Sequence, residues 1–564
     1  MPREQLGFKY PESAKTDRCA AFDGRRRRLY TSVATTLQTR FSEEAPMYYQ
    51  LIVEKDVPIK VRDGAVLRAD VFRPGGMDTF PAIMTLGPYP KDIHFKNWSQ
   101  MRPANVNVDG PFMHWESVDP EWWVPQGYVV IRIDGRGTGK SPGTAHNLTM
   151  REAEDYYDAI EWAGTQKWSN GRVAVMGVSY FAMNAWRVAA LSPPHLAAIV
   201  PWEGAFDLYR DVNRHGGIRS NTFTQAWASN VSRHTQEPTR QVPYPELYDE
   251  RVARNNPNLA DIKVPLLSAG NWGGVGLHLR GNIEGYLGAG SRHKFLRIHS
   301  GDHVTPFYSL EGRLYQMRFL EHWLRGVDTG ILREPPIRLA IRHGGEYYEW
   351  RYEYEWPLDR TRWTPYHIDA GDAALSISRV DRSTQVSYHA DPGVGTSGAT
   401  FTTPPFERDT EITGPIKLRL WVSSSVGDAD IFVILHHTDA SGKEVAYPSQ
   451  MQTMIAAAYG WLRVSHRKLD PTRTTPYRPF HTHDELQKVK PGEIVPVEIE
   501  VWPASMVLRR GQRLTLEVAA NDDPKMTSFS HTDTTDRVQS GTTTIHTGGA
   551  HDSYLLLPVI LSRV

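Results

Sequence analysis

The sequence predicts a two-part molecule: an α/β domain from about residue 48 to 330, interrupted by a cap at 206–262, and an antiparallel β-sandwich over 331–564. Up to about residue 330, short apolar runs alternate with helical patterns. Beyond it, the runs alternate apolar with polar residues and are punctuated by Gly, Pro and Thr. The length of 564 residues also exceeds what one hydrophobic core serves.

The first 47 residues read as an N-terminal arm. Its basic run Arg25 to Arg28 suits a solvated arm or a subunit contact better than a nucleic-acid patch. Buried strands are expected at Pro81 to Leu86, Tyr128 to Asp134, Arg172 to Gly177, Leu196 to Pro201, Val264 to Ala269 and Lys294 to His299, all largely apolar runs. Between the second and third, Tyr156, Ala159, Ile160 and Ala163 form one stripe of a crossover helix over Arg151 to Gln166. The stretch Gly204 to Lys263 is too long for an ordinary connection. Its helix-compatible, aromatic segment Asn221 to Ser232 makes it a cap above the sheet. In the second part, Ile416, Leu418, Leu420 and Val422 alternate with their neighbours. So do Val497, Ile499 and Val501, and Leu514, Leu516 and Val518, giving strands with one buried face.

Composition narrows the function. Sixty-four Lys plus Arg balance 64 Asp plus Glu, which gives no field to attract nucleic acid or an anionic membrane, so a small-molecule substrate is expected. No apolar window of membrane-spanning length occurs. The single cysteine, Cys19, excludes an intrachain disulfide framework and a cysteine metal cluster, and no cofactor is expected. The N-terminus lacks the apolar core of a secretory signal, so a cytoplasmic address is expected. The large β surface suggests a homo-oligomer.

The chemistry begins at the third strand. Val173 to Val178 leads directly into Ser179, and Tyr180 to Leu191 can run as a helix, the strand, sharp turn and helix of a nucleophile elbow. Gly177 and Ala182 supply the small residues that a strained turn needs, although Phe181 stands where G-x-S-x-G has its second glycine. Taken alone, G-x-S also describes a serine N-cap. Among 22 histidines, His303 is selected as general base because it follows the last predicted strand, with serine before histidine in chain order. One oxyanion donor is the backbone amide of Tyr180. The other should come from Gly87-Pro88-Tyr89-Pro90-Lys91, where Tyr89 could aim its hydroxyl.

These segments carry a family resemblance. R-D-G-A-V-L-R-A-D-V-F-R-P (62 to 74), G-P-Y-P-K (87 to 91), I-D-G-R-G-T-G-K-S-P-G (133 to 143), W-S-N-G-R-V-A-V-M-G-V-S-Y (168 to 180) and D-L-Y-R (207 to 210) resemble the cocaine-esterase-like hydrolases, relatives of X-Pro dipeptidyl peptidases. The stretches Ser423 to Asp430 and Arg463 to Asp523 resemble that family's C-terminal jelly roll. The resemblance implies an α/β-hydrolase domain with a helical cap, a jelly roll and acyl-serine chemistry. It also implies an oxyanion hole from the Tyr89 hydroxyl and the Tyr180 amide.

One departure stands out. Where the family places its catalytic aspartate, this chain reads Gly270-Asn271-Trp272-Gly273-Gly274-Val275-Gly276, with no acid. Glu203, at the end of the run Leu196 to Pro201, is the expected replacement, with Glu284 and Asp207 as second choices. A buried ion-pair role for Glu203 is the alternative. Trp202 and Trp272, beside strand ends, are expected as pocket walls. His481, His483 and Asp484, or Asp428 and Asp430, could be read as metal ligands, but turns and loops explain them adequately and no metal is expected. The expected activity is hydrolysis of an ester or amide bond in a small, largely uncharged acyl substrate. An X-Pro dipeptidyl peptidase and a non-catalytic binding protein on a hydrolase fold are the alternatives.

Overall fold

The computed structural model describes residues 49–237, 244–390 and 397–561. The Arg25 to Arg28 run and Cys19 lie outside them. The apolar runs of the first part form a ten-stranded sheet: β1 (Leu51–Lys60), β2 (Val66–Pro74), β3 (Phe80–Gly87), β4 (Val129–Asp134), β5 (Ser169–Val178), β6 (Leu196–Trp202), β7 (Leu266–Asn271), β8 (Lys294–His299), β9 (Ile337–Gly344) and β10 (Tyr347–Glu353). Their spatial order is β1-β2-β4-β3-β5-β6-β7-β8-β9-β10, parallel from β4 through β9 with antiparallel edges. The order reverses around β3 to β5, and in such sheets the carboxyl ends of the central strands collect the functional groups. The hairpin β9–β10 extends this sheet past residue 330, where the sequence texture had already changed to alternating residues, because β9 pairs parallel to β8.

Helices cover the sheet: α1 (Met150–Gly164), α2 (Tyr180–Ala190), α3 (Thr222–Ser232), α4 (Leu279–Gly288) and α5 (Leu310–Arg325). Thr149 caps α1 through its side chain, and Tyr156, Ala159, Ile160 and Ala163 are its buried stripe. Nearly all of α2 is buried, consistent with its run of Ala, Val, Met and Trp.

Between β6 and β7 the chain forms a single wide helical turn at Tyr209–Asn213, a short hairpin, α3 and the short helix Glu250–Ala253. Ion pairs of Arg214 with Asp536 and of Arg219 with Asp533 tie this segment to the C-terminal part. That part is an eleven-stranded, predominantly antiparallel assembly containing β11 (Thr410–Ser424), β12 (Asp430–Thr438), β13 (Ala458–Arg463), β14 (Val495–Leu508) and β15 (Arg513–Ala519). Ile416, Leu418, Leu420 and Val422 of β11 face one core with Val497, Ile499 and Val501 of β14, as period-two alternation dictates.

Candidate active site

Ser179 sits between β5 and α2 with φ of +56° and ψ of −111°, a strained conformation for a residue with a Cβ. Three backbone bonds hold the turn: Ser179 N–H to Trp202 O at 2.9 Å, Val178 N–H to Glu116 O at 2.9 Å, and Met183 N–H to Ser179 O at 2.8 Å. Gly177 is required because a Cβ there would lie 2.6 Å from the Phe181 Cβ and 3.1 Å from Glu116 O. Phe181 is accommodated by Gly87, whose absent side chain leaves room for the Phe181 and Tyr180 rings.

The imidazole that meets Ser179 is that of His278, which lies between β7 and α4. Its Nε2 is 3.1 Å from Ser179 Oγ, and its Nδ1 is 2.8 Å from Gln450 Oε1. His303 stacks on it, with ring centroids 5.2 Å apart and planes within 8°. His303 Nδ1 is 2.8 Å from Glu203 Oε2 and its Nε2 is 2.9 Å from Glu116 Oε1. Glu203 therefore reaches His303, as expected from the sequence, but the expected contact of His303 with Ser179 is replaced by one with Glu116. Glu116, with φ of +59°, places its carboxylate on the nitrogen that would have faced the serine.

Burial disfavours charge on every one of these groups, and the two carboxylates on either side of His303 outweigh it there, raising its pKa to about 10. Burial likewise opposes ionisation of Glu203, but the neighbouring imidazoles pull it down to about 2. His278 shifts the other way, lowered by burial and then by the His303 charge, so it stands neutral with a lone pair available. Burial raises the pKa of Glu116, and its Oε2 has no hydrogen-bond partner. Asn271 donates to Glu203 Oε1 at 3.1 Å and to Gly301 O at 2.9 Å. An amide donor thus stands in the segment expected to carry an acid, and it fixes the carboxylate that comes from the adjacent strand.

Tyr89 and Tyr180 line the same cavity as Ser179. The Tyr89 hydroxyl accepts from Trp227 Nε1 at 3.0 Å, and burial followed by the nearby Glu116 keeps it a neutral phenol. Tyr180 begins α2, so its amide has no intrahelical acceptor. The loop that carries Tyr89 is held by Asp134, which accepts from Lys91 N at 2.8 Å and from Lys140 N at 2.9 Å. Ser179, Tyr89 and Tyr180 open onto a cavity of about 370 Å³ whose other walls include Met183, Leu208, Val212, Phe223, Trp227 and Tyr244. Glu203, His278 and His303 bring one donor atom each within 4.8 Å of one another, a spacing a divalent cation could use, although each imidazole nitrogen already has a protein partner.

Residues 63–253 match the X-Pro dipeptidyl-peptidase (S15 family), and residues 329–556 match the X-Pro dipeptidyl-peptidase C-terminal non-catalytic domain. A CocE/NonD family hydrolase from Staphylococcus aureus, solved by crystallography, is 32% identical with a TM-score of 0.85, over 91% of this chain and 94% of that one. This chain belongs to the cocaine-esterase-like hydrolases. The cocaine esterase of Rhodococcus is 24% identical, over 90% of this chain and 98% of its own length. The structure of an α-amino acid ester hydrolase shares the fold, with 17% identity and a TM-score of 0.69 over 92% of this chain and 98% of that one. The cocaine-esterase-like chain is accordingly an α/β-hydrolase with a C-terminal non-catalytic domain, in a family of serine esterases and X-Pro dipeptidyl peptidases.

Other expected site residues lie elsewhere in this hydrolase. Trp202 and Trp272 are fully buried and do not line the cavity. Trp202 packs between His299 and Phe307, and Trp272 donates to Ala340 O at 2.7 Å. The aromatic wall comes instead from Tyr89, Tyr180, Phe223, Trp227 and Tyr244. Glu284 pairs with Arg478, and Asp207 with Arg210 at 2.7 Å. Asp428 and Asp430 are engaged by Lys488, Arg463 and Arg537, and Asp484 by Lys468. Among the described residues, no helix is long and apolar enough to cross a membrane. His278, Glu116 and Gln450 were not singled out from the sequence. The one available signal was for His278, which follows the segment where an acid was expected and missing.

Proposed function

We propose that this protein hydrolyses an ester or amide bond of a small, largely uncharged acyl substrate through an acyl-serine intermediate. The observation that carries the reading is Ser179, strained at an elbow, with Oγ 3.1 Å from a neutral imidazole at the wall of a cavity lined by both aromatic and polar side chains. His278 Nε2 takes the Ser179 proton as Oγ attacks the acyl carbon. The Tyr180 amide and the Tyr89 hydroxyl stabilise the oxyanion. The charged Glu203–His303 pair stacks behind His278 and fixes the field around it. The imidazolium returns its proton to the leaving group, and water then releases the acyl group by the same path in reverse. The described residues between β6 and β7, with Trp227 of α3 stacked on Tyr180, act as a helical cap over the acyl site, and the C-terminal part as a jelly roll.

A second reading, dipeptide release from an X-Pro substrate, is favoured by the match of residues 63–253 to the X-Pro dipeptidyl-peptidase family and by the buried carboxyl group of Glu116 near Ser179. The test compares p-nitrophenyl esters of short acyl chains with Ala-Pro and acetyl-Ala-Pro p-nitroanilides, using wild type and Ser179→Ala. Ser179-dependent ester turnover supports the esterase reading. Preference for Ala-Pro over its acetylated form moves the assignment to a dipeptidyl peptidase. Turnover that survives Ser179→Ala rejects both.

A further inference from the structure

The C-terminal domain reaches into the catalytic centre. A hairpin formed by Tyr447–Pro448 and Met454–Ile455 inserts its tip between the loops that follow β7 and β8. Gly273 permits the approach, since a Cβ there would lie 2.3 Å from Pro448 O. Gln450 N–H donates to Gly273 O at 3.2 Å, and its carbonyl accepts from His303 N–H at 3.0 Å, so one residue ties both loops together. Its side chain is buried, with Oε1 2.8 Å from His278 Nδ1.

We propose that Gln450 is a positioning residue of the catalytic centre, supplied by the C-terminal domain, which holds the His278 proton on Nδ1 and leaves Nε2 free to accept from Ser179. An amide oxygen is an acceptor only, so the ring nitrogen facing it carries the hydrogen. When Ser179 gives up its proton to Nε2, the Nδ1 proton stays where it is and the ring becomes imidazolium between Gln450 Oε1 and Glu203 Oε2, which is 3.7 Å from Nδ1. The charged neighbours of His278 are Glu203 at the end of β6 and His303 after β8. Glu116 lies on the far nitrogen of His303, and His299 is 3.4 Å from Glu203.

The inference rests on the serine reading above. The experiment measures fluorophosphonate labelling rates of the full chain against pH for wild type, Ser179→Ala, Gln450→Met and Gln450→Glu. Gln450→Met keeps the length and removes the acceptor, and is expected to label roughly tenfold more slowly, the scale of one lost orienting hydrogen bond. Gln450→Glu restores an acceptor and adds a charge, so it is expected to recover the rate and move the basic imidazole limb to higher pH. Gln450→Met at the wild-type rate, or Gln450→Glu with an unmoved limb, overturns the proposal. If Gln450→Met does not fold, the limb of Gln450→Glu decides alone. Failure of the serine reading itself appears separately, as wild type that does not label or Ser179→Ala that does.

Discussion

Substitution of Glu203 by Gln removes the charge at the centre of the histidine cluster while keeping its shape. His303 is held protonated to about pH 10 against an ordinary imidazole value of 6.5. At about 1.4 kcal/mol per pH decade, the two flanking carboxylates favour the charged ring by about 5 kcal/mol beyond the opposing cost of burial. Glu203 is the larger contributor and the burial cost remains when it is removed, so its loss costs at least half of that net figure, about 3 kcal/mol, within the range for a broken buried pair.

The pH dependence has two limbs. A raised His303 pKa contributes stability in full below pH 6.5, and this is lost as pH rises through about 10. A depressed Glu203 pKa contributes stability above about pH 4.5, lost as pH falls toward 2. Chemical denaturation of wild type and Glu203→Gln at intervals from pH 5 to 10 is expected to show the largest gap near pH 5–6.5 and a smaller one at pH 10. Equal stabilities, or a gap that widens toward pH 10, would refute this electrostatic reasoning.

The oxyanion assignment predicts that Tyr89→Phe lowers kcat roughly 10²-fold or more with little change in the melting transition, the usual effect of losing one such donor; unchanged turnover in a steady-state ester assay would remove Tyr89 from the site. Trp227→Phe, which loses the 3.0 Å bond to the Tyr89 hydroxyl, should show a smaller loss in the same assay. Gly177→Ala forces a Cβ to 2.6 Å from Phe181 and should lower both the melting temperature and labelling of Ser179; a variant of wild-type stability would contradict the close packing of the elbow.

Local patterns exposed most of the parallel sheet, because strands buried on both faces appear as continuous apolar runs, and β3 to β8 lie where those runs stand. Ser179 was legible for the same reason, since strand, turn and helix are contiguous in the chain. Glu203 was legible because a carboxylate directly after a buried strand falls at the functional edge of the sheet. His278 was hidden by the opposite circumstance. Its partners Ser179, Gln450 and Glu203 are 99, 172 and 75 residues away, and no local period joins them. Glu116 sits in an irregular loop whose positive φ cannot be read from its residue type. Hairpin β9–β10 has the alternation of any edge hairpin, and its pairing with β8 is a tertiary fact that no local period shows.

The most direct measurement is the fluorophosphonate labelling rate of wild type beside His278→Gln and His303→Gln. The geometry predicts that His278→Gln labels roughly 10²-fold or more slowly, the scale of a lost general base, while His303→Gln stays within about tenfold of wild type. Labelling abolished by His303→Gln and preserved in His278→Gln would transfer the base to His303 and contradict the central claim.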